Sequence, residues 1–329
     1  MRAMPGTVSA ILVNYNGAQF LSDALESLAR QTRKAEQVIV VDNASSDGSA
    51  ALVRARFPWV TLIEASTNTG FAEGNNIGLA AATGDYVALL NTDAVADARW
   101  LESLVDALER DPHAAGAEGK IYYADARTRI EQAGALFNNI GNYWGRGHRD
   151  EDRGQFEESM EVAGVTACAM LVRRKALGGA PLFDASLFMY GEELDLTIRL
   201  RSDGWSIVFE PRAVVHHAGM RSLNAAVDAP RLFQQFHANR NRLKLVAKYW
   251  PWPLLLRNLP LVALSIAYWD LVFLVRAGPR YFARAVAAQI AFFVRGLRER
   301  QAQHSYRWLP WMTQHSFRGL KAQKRRMEG

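Results

Sequence analysis

The sequence predicts an α/β fold, a mixed and mostly parallel β-sheet between layers of helices, followed by a basic, apolar helical region. Three observations carry that expectation. Runs of aliphatic and β-branched residues alternate with segments of helical spacing as far as Arg110, the pattern of strands joined by crossover helices. Those strand runs are continuously apolar, as strands buried on both faces are. Charge then divides the chain: residues 1–239 carry 22 Lys and Arg against 30 Asp and Glu, whereas residues 240–329 carry 17 against 3.

Val8–Asn14 (VSAILVN) reads as the first strand, and Phe20–Arg30 as a helix with Leu21, Leu25 and Leu28 on one side. Gln37–Asp42 (QVIVVD) is the second strand, followed by an Asn/Ser/Asp/Gly turn and a helix over Ala50–Phe57. Val60–Glu64 gives a third strand, Asn75–Ala82 a helix and Tyr86–Leu90 a fourth strand. Trp100–Arg110 is a helix ended by Asp111-Pro112. Residues 119–160 read as irregular, with short hairpins, a Gly/Asn/Trp-rich stretch at Asn138–Gly147 and an acidic patch at Asp150–Glu158. Gly164–Arg173 reads as a strand, Glu192–Arg201 as a helix, and Ser206–Phe209 and Ala213–His217 as short strands.

The last part differs in kind. His237–Tyr249 is an amphipathic basic helix stopped by Pro251-Trp252-Pro253. Asn258–Val275 runs for 18 residues with Asp270 as its single charge, and Tyr281–Val294 is apolar apart from Arg284. A mid-segment Asp is costly in hydrocarbon, so helices lying in the interface or a re-entrant pair fit better than a full span. The expected division is therefore 1–239, with halves 1–115 and 116–239, and a membrane-associating helical region 240–329.

Several function classes drop out. The single cysteine, Cys168, leaves no intrachain disulfide framework and points to a reducing compartment. The start, Met1-Arg2-Ala3-Met4-Pro5-Gly6, lacks the pattern of a signal peptide. No Gly-x-Gly-x-x-Gly turn and no phosphate loop with a following Lys-Ser/Thr occurs, which argues against nicotinamide and ATP enzymes. The basic, aromatic-rich end suits an anionic membrane surface rather than nucleic acid.

In parallel sheets ligands bind beyond the C-terminal strand ends. The polar strand ends here are Asn14-Tyr15-Asn16, Asp42-Asn43, Asn68 and Asn91-Thr92-Asp93. Asp42 either fills a turn or accepts the imide N–H of a pyrimidine, while Asp47 reads as a cap. Asp93 is a carboxylate placed to hold a divalent ion that neutralises a diphosphate leaving group. His217 is a candidate second ligand, and His216 faces the other way if the strand persists. Glu192, Glu193 and Asp195 start a helix where the dipole favours acids whatever their role. Each is a candidate general base, and the residues alone do not choose among them.

Taken in order, "SAILVNYNG", "VIVVDNASSDGS", "NTGFAEGNNIGL", "YVALLNTDA", "GVTACAMLVRR", "LFDASLFMYGEELDLTIRLRSDGW" and "PRAVVHHAG" resemble the inverting glycosyltransferases of family two, of the GT-A fold. The resemblance covers roughly Val8–Ser222 and is strongest to the bacterial rhamnosyltransferase-like branch that builds cell-surface polysaccharides. It implies that 1–115 is the nucleotide-sugar half and 116–239 the acceptor half. By position it puts Asn14, Tyr15 and Asn16 at the nucleotide pocket and Asp42 on the pyrimidine. Asn68, Gly70, Phe71 and Asn75 would line the ribose and sugar side, and Asn91-Thr92-Asp93 stands in place of the family's Asp-x-Asp motif. Asp93 and His217 would hold Mg²⁺ or Mn²⁺. Glu193 would be the catalytic base, in a Glu192-Glu193 pair where Glu-Asp is commoner, with Asp195 in reserve.

The branch implies dTDP-L-rhamnose as donor and a saccharide acceptor on a lipid, at the cytoplasmic face of the membrane. UDP-hexose, UDP-N-acetylhexosamine and UDP-galactofuranose transferases have similar patterns. A non-catalytic sugar-nucleotide binder is a further alternative, and self-association is left open.

Overall fold

A computed structural model describes residues 6–219, 230–300 and 305–313. Four parallel strands build one half of the sheet: β1 (Val8–Asn14), β2 (Gln37–Asp42), β3 (Thr61–Glu64) and β4 (Tyr86–Leu90). They are joined by α1 (Ala18–Ala29), α2 (Ser49–Arg56) and α3 (Gly70–Ala81). β5 (Ala94–Ala96) and α4 (Trp100–Arg110) lead to the second half. There lie β6 (Ala114–Tyr123), β7 (Ala126–Gln132), β8 (Ala135–Asn138), β9 (Tyr143–Gly145), β10 (Met160–Glu161), β11 (Ala169–Arg173), α5 (Glu192–Ser202) and β12 (Ser206–His217). The helices α6 (Pro230–Tyr249), α7 (Trp252–Ala277) and α8 (Pro279–Glu299) follow, and then the short β13 (Met312–Thr313).

The ten-stranded sheet runs β10-β12-β6-β11-β4-β1-β2-β3, with β5 on β12 and β7 on β6. Within it β11 is antiparallel to β4 and β6, while β6 and β12 are parallel. The C-terminal ends of β1, β2, β4, β6 and β12 therefore share one edge. Alternation along each strand feeds two apolar layers: Val8, Ala10 and Leu12 of β1 pack with Leu21, Leu25 and Leu28 of α1 and with Trp100, Leu104 and Leu108 of α4. Ile11 points the other way, into the layer holding Ala72 of α3 and Leu196 and Leu200 of α5. β8, β9 and β13 form a separate three-stranded sheet.

The fold is the expected mixed α/β sheet, with five local departures. α3 begins at Gly70, five residues earlier than its spacing suggests, because Gly70 takes φ +85 and Asn43 and Asn68 bond the first turn. β6 occupies a stretch partly expected to be irregular. Its charged residues Glu118 and Lys120 are both buried, so it lacks an apolar signature. β11 is limited to Ala169–Arg173, and residues 164–168 leave the sheet as a loop. β12 is one strand with a bulge, where its register to β6 jumps between Phe209 and Val214. Gly119 faces this bulge, where a Cβ would lie 1.6 Å from the Ala213 carbonyl oxygen. α6 starts at Pro230, so the division expected at 239/240 falls inside a helix. Residues 220–222 of the family resemblance and 314–329 of the basic end lie outside the described residues.

The helical region is built onto the body. Leu245, Val246, Tyr249 and Trp250 pack with Leu194 and Ile198 of α5 and with Phe137 of β8. Trp308 is fully buried among them, and β13 pairs with β8. Among the described residues, α7 is the helix long and apolar enough to cross a membrane by length and composition. One side of it is buried through Leu255, Asn258, Val262 and Phe273, while Leu256, Leu264, Tyr268, Leu271 and Val275 are exposed.

Candidate active site

A cavity of about 540 Å³ opens at the edge where the strand ends gather. Its walls include Tyr15, Asn43, Asn68, Gly70 and Phe71 from the first half of the chain, and the Asn91-Thr92-Asp93 turn after β4. Glu131, Thr166, Ala167, Cys168, Phe188–Tyr190, Glu192, Glu193 and His217 close it from the second half. A larger cleft, about 1000 Å³, lies around Tyr86, Glu109 and Arg173. Its polar groups satisfy one another, Tyr86 donating to Glu109 at 2.6 Å and Arg173 to Tyr86 at 3.1 Å, and none of the polar strand ends reaches it.

Strand pairing explains how Asp93 meets His217. β5 runs antiparallel to the end of β12, setting Ala94 opposite His217, and the Ala218 N–H donates to the Asp93 carbonyl oxygen at 2.9 Å. His217 Nε2 lies 3.1 Å from Asp93 Oδ1, and its Nδ1 lies 2.9 Å from Glu131 Oε2. Burial disfavours a charged imidazole here, but the Cys168 sulfur, Asp93 and Glu131 outweigh it and hold the His217 pKa well above its ordinary value. His216 points to the opposite face, stacked on Tyr122 with ring centroids 5.7 Å apart. Only one of the adjacent histidines therefore enters the cavity, as strand alternation requires.

Glu192 and Glu193 both reach the cavity, but in different settings. Glu192 is 3% exposed, and its Oε2 has no hydrogen-bond partner among the described residues. Burial and the neighbouring Glu193 raise its pKa well above the carboxylate range. Burial also raises Glu193, but the N–H groups of Ala167 and Gly191 and the Thr166 hydroxyl oppose that rise. Glu193 is thus the more acidic of the pair. Asp195 is turned away from the cavity. It lies 2.8 Å from Arg199 Nε, 3.1 Å from Lys248 Nζ and 2.6 Å from the Tyr249 hydroxyl. Against the opposing effect of burial, these partners hold it well below the carboxylate range, and through them it joins α5 to α6.

The loop before α5 is bent. Phe188 and Tyr190 adopt φ +66 and +67, and Gly191 φ +96. Asn241 of α6 holds it: its side-chain nitrogen lies 2.8, 2.9 and 2.7 Å from the carbonyl oxygens of Leu187, Met189 and Tyr190. On the other side Ala72 N–H donates to the Phe188 carbonyl at 3.0 Å. A Cβ on Gly70 would come within 2.5 Å of the Phe188 ring, so glycine is needed there for close approach as well as for φ.

Besides Asp195, four expected site residues do not line the cavity. Asn14 and Asp42, paired in register at the ends of β1 and β2, are buried and bonded to each other at 2.9 Å. Asp42 also accepts from Ser45 N–H at 2.9 Å. Asn16, at φ +52, accepts from Ser46 N–H at 2.8 Å. Asn75 is inside α3, donating to the Phe71 carbonyl at 2.9 Å. These residues shape the rim from behind. Sequence reasoning missed Glu131, Thr166 and Cys168 as wall residues.

Behind Thr166 stands Glu118 of β6, fully buried. It accepts from Thr166 N–H at 2.6 Å and from Gln132 at 3.2 Å, and burial pushes its pKa up to about 8. It thus links the Thr166 loop that holds Glu193 to the strand that carries Glu131.

The sequence profile described as Glycosyl transferase family 2 matches residues 9–179, from β1 to beyond β11. The chain belongs to glycosyltransferase family 2. This glycosyltransferase is an inverting enzyme of the GT-A fold that uses a nucleotide-sugar donor. A relative, N-acetylglucosaminyl-diphospho-decaprenol L-rhamnosyltransferase of Mycobacterium tuberculosis, is 28% identical over 239 residues, covering 65% of this chain and 77% of its own. The structure titled GalNAc-T7 with UDP, GalNAc and Mn²⁺ superposes with a TM-score of 0.55 at 17% identity, covering 64% of this glycosyltransferase and 43% of that chain. Mannosyltransferase PcManGT from Pyrobaculum calidifontis, in complex with GDP-Man and Mn²⁺, gives 0.51 at 22% identity over 87% and 74% of the two chains. These structural likenesses establish the fold.

Among the described residues of this glycosyltransferase, no group of three or more His, Cys, Asp or Glu side chains is arranged to hold a metal ion. Asp93 and His217 supply one oxygen and one nitrogen donor, a set that suits Mn²⁺, or Mg²⁺ completed by other oxygens. Glu131 engages the other ring nitrogen of His217, as a supporting carboxylate does beside many metal-bound histidines.

Proposed function

We propose that the enzyme transfers L-rhamnose from dTDP-L-rhamnose to a saccharide hydroxyl carried on a lipid at the cytoplasmic face of the membrane. The observation that carries this reading is the cavity itself. Glu193, with a raised but opposed pKa, lines it together with the Asp93–His217 pair, in a chain related over 239 residues to an N-acetylglucosaminyl-diphospho-decaprenol L-rhamnosyltransferase.

Each residue has a chemical task. Tyr15, Asn43, Asn68, Gly70 and Phe71 would line the nucleotide and donor sugar, with Asp42 and Asn14 fixing that rim from behind. Glu193 takes the proton from the acceptor hydroxyl as its oxygen bonds the anomeric carbon and the bond to the diphosphate breaks on the opposite face. A single displacement of this kind inverts the anomeric centre. Asp93 and His217 would hold a divalent ion, Mg²⁺ or Mn²⁺, with Glu131 orienting the imidazole. When bound, that ion supplies charge neutralisation for the departing nucleoside diphosphate.

The helical region supports action at a membrane surface. Asn258 on the inner side of α7 meets Asn139 at 2.5 Å, and Asp270 accepts from Gln289 of α8 at 2.9 Å. With one side pinned to the protein and the other exposing leucines, α7 is suited to lie along the bilayer rather than cross it. The arginines around it would meet anionic headgroups.

A donor screen tests the reading. Transfer and divalent-ion-dependent binding are measured across dTDP-rhamnose, UDP-hexoses, UDP-N-acetylhexosamines and UDP-galactofuranose. The expected result is turnover with dTDP-rhamnose. Turnover with a UDP-sugar instead would replace the donor assignment, and failure of every nucleotide sugar to bind would defeat the reading altogether.

A further inference from the structure

We infer that Arg240 and Arg284 form a diphosphate-binding site beside the cavity, taking the diphosphate that joins an acceptor sugar to its lipid. This rests on the reading of the enzyme as one acting at a membrane surface. Phe233 and Gln234, on the first turn of α6, line the cavity. Arg240 stands two turns further on the same face, about 10 Å along the axis, a reach suited to one sugar ring and its diphosphate.

The two arginines meet around one aromatic ring. The Arg240 guanidinium lies 5.5 Å from the centre of the Phe236 ring and 4.4 Å from that of Phe292, and Arg284 of α8 lies 5.7 Å from that of Phe236. Burial and the charge of Arg284 lower the Arg240 pKa to about 10, and no carboxylate acts in the opposite sense. Three other cations in the same bundle are paired: Lys244 with Asp184 and Glu299, Lys248 with Asp195, and Arg295 with Glu299. Neither Arg240 nor Arg284 has an acidic partner among the described residues.

Two further observations point to a ligand. His237 is buried between these arginines and the Phe188 loop, and its Nδ1 has no partner among the described residues. Burial, Arg240 and Arg284 push its pKa down to about 3, so it is a neutral ring able to receive or supply a hydrogen bond. Arg240 is also pre-oriented. Its Nη2 donates to the Leu187 carbonyl at 3.2 Å and its Nε to Asn241 Oδ1 at 3.2 Å, leaving Nη1 for a ligand. A guanidinium fixed in this way suits the paired oxygens of a phosphate, and a bound anion removes the cost of holding like charges together.

The same chemistry would serve a phospholipid headgroup, so the test separates the two sources. Farnesyl diphosphate and inorganic pyrophosphate are titrated calorimetrically into the full chain, with dTDP and Mn²⁺ saturating the donor side. Arg284→Gln, at an exposed position, is compared with Arg240→Gln. The expected result is farnesyl diphosphate binding that weakens about tenfold or more in each variant. Binding to vesicles of equal parts phosphatidylcholine and phosphatidylglycerol should be unchanged. Pyrophosphate affinity lost in step assigns the contact to the diphosphate group. Unchanged farnesyl diphosphate binding in R284Q overturns the inference, as does a loss confined to vesicle binding. If R240Q fails to fold, R284Q alone decides. If dTDP-rhamnose neither binds nor turns over in the wild type, the functional reading fails while the titration still reports on the arginine pair.

Discussion

Glu192 and Glu193 share a cavity and a helix turn, yet Glu193 is met by more donors that favour its ionised form. Replacing Glu193 by Gln should lower transfer about a hundredfold or more, the scale of a lost general base. Calorimetry should show nucleotide binding unchanged, and full turnover would remove Glu193 from its role. Glu118 acts through stability. Its folded pKa of about 8 lies above the ordinary 4.5, so its protonated form is favoured by folding. That contribution is complete below pH 4.5 and is lost as pH rises through about 8. Glu118→Gln mimics the protonated side chain, so the melting temperature of the variant should stay flat across that window where the wild type falls. Equal slopes would refute the assignment. Asp93, His217 and Glu193 were legible because each ends a strand or opens a helix. Glu131 was not: it sits in the polar run Ala126–Gln132, where neither hydropathy nor spacing marks one carboxylate from its neighbours.

At the scale of elements, α6 holds the loop that leads into Glu193. The Asn241 nitrogen serves three carbonyls of a segment containing two non-glycine residues at positive φ. Asn241→Asp keeps the shape but cannot donate, so kcat should fall about tenfold with donor affinity preserved, the cost of a few hydrogen bonds' worth of misplacement. If Asn241 merely filled space, the Asp variant would behave as wild type in steady-state kinetics. The four parallel strands and their helices were readable because continuous aliphatic runs leave little choice of element. β6 was hidden because its interior charges are satisfied by partners distant in sequence, Lys120 by Asp152 and Glu118 by Thr166. The bulge in β12 was equally hidden, although it decides which histidine faces Asp93. Between Phe209 and Val214 the strand spends three more residues than β6 does. An odd number reverses the sides, so a regular strand of the same length would have presented His216.

For the whole molecule, the exposed leucines of α7 give the membrane reading a direct check. Leu264 is 70% and Leu271 58% exposed, so exchanging both for Glu should leave the melting temperature unchanged while abolishing cosedimentation with anionic vesicles. Retained binding would move the contact elsewhere. The segment between Trp250 and Trp308 is fastened to the body at both ends: the Trp308 ring lies 4.9 Å from that of Trp250, and Met312–Thr313 pairs with the strand Ala135–Asn138. A segment fastened at both ends is a foot, not a tether. The cavity would then stand at one fixed height above whatever surface the foot rests on. A hydroxyl further out on a lengthening glycan would be carried past that height, so such an enzyme adds its sugar at a set distance from the lipid and goes no further.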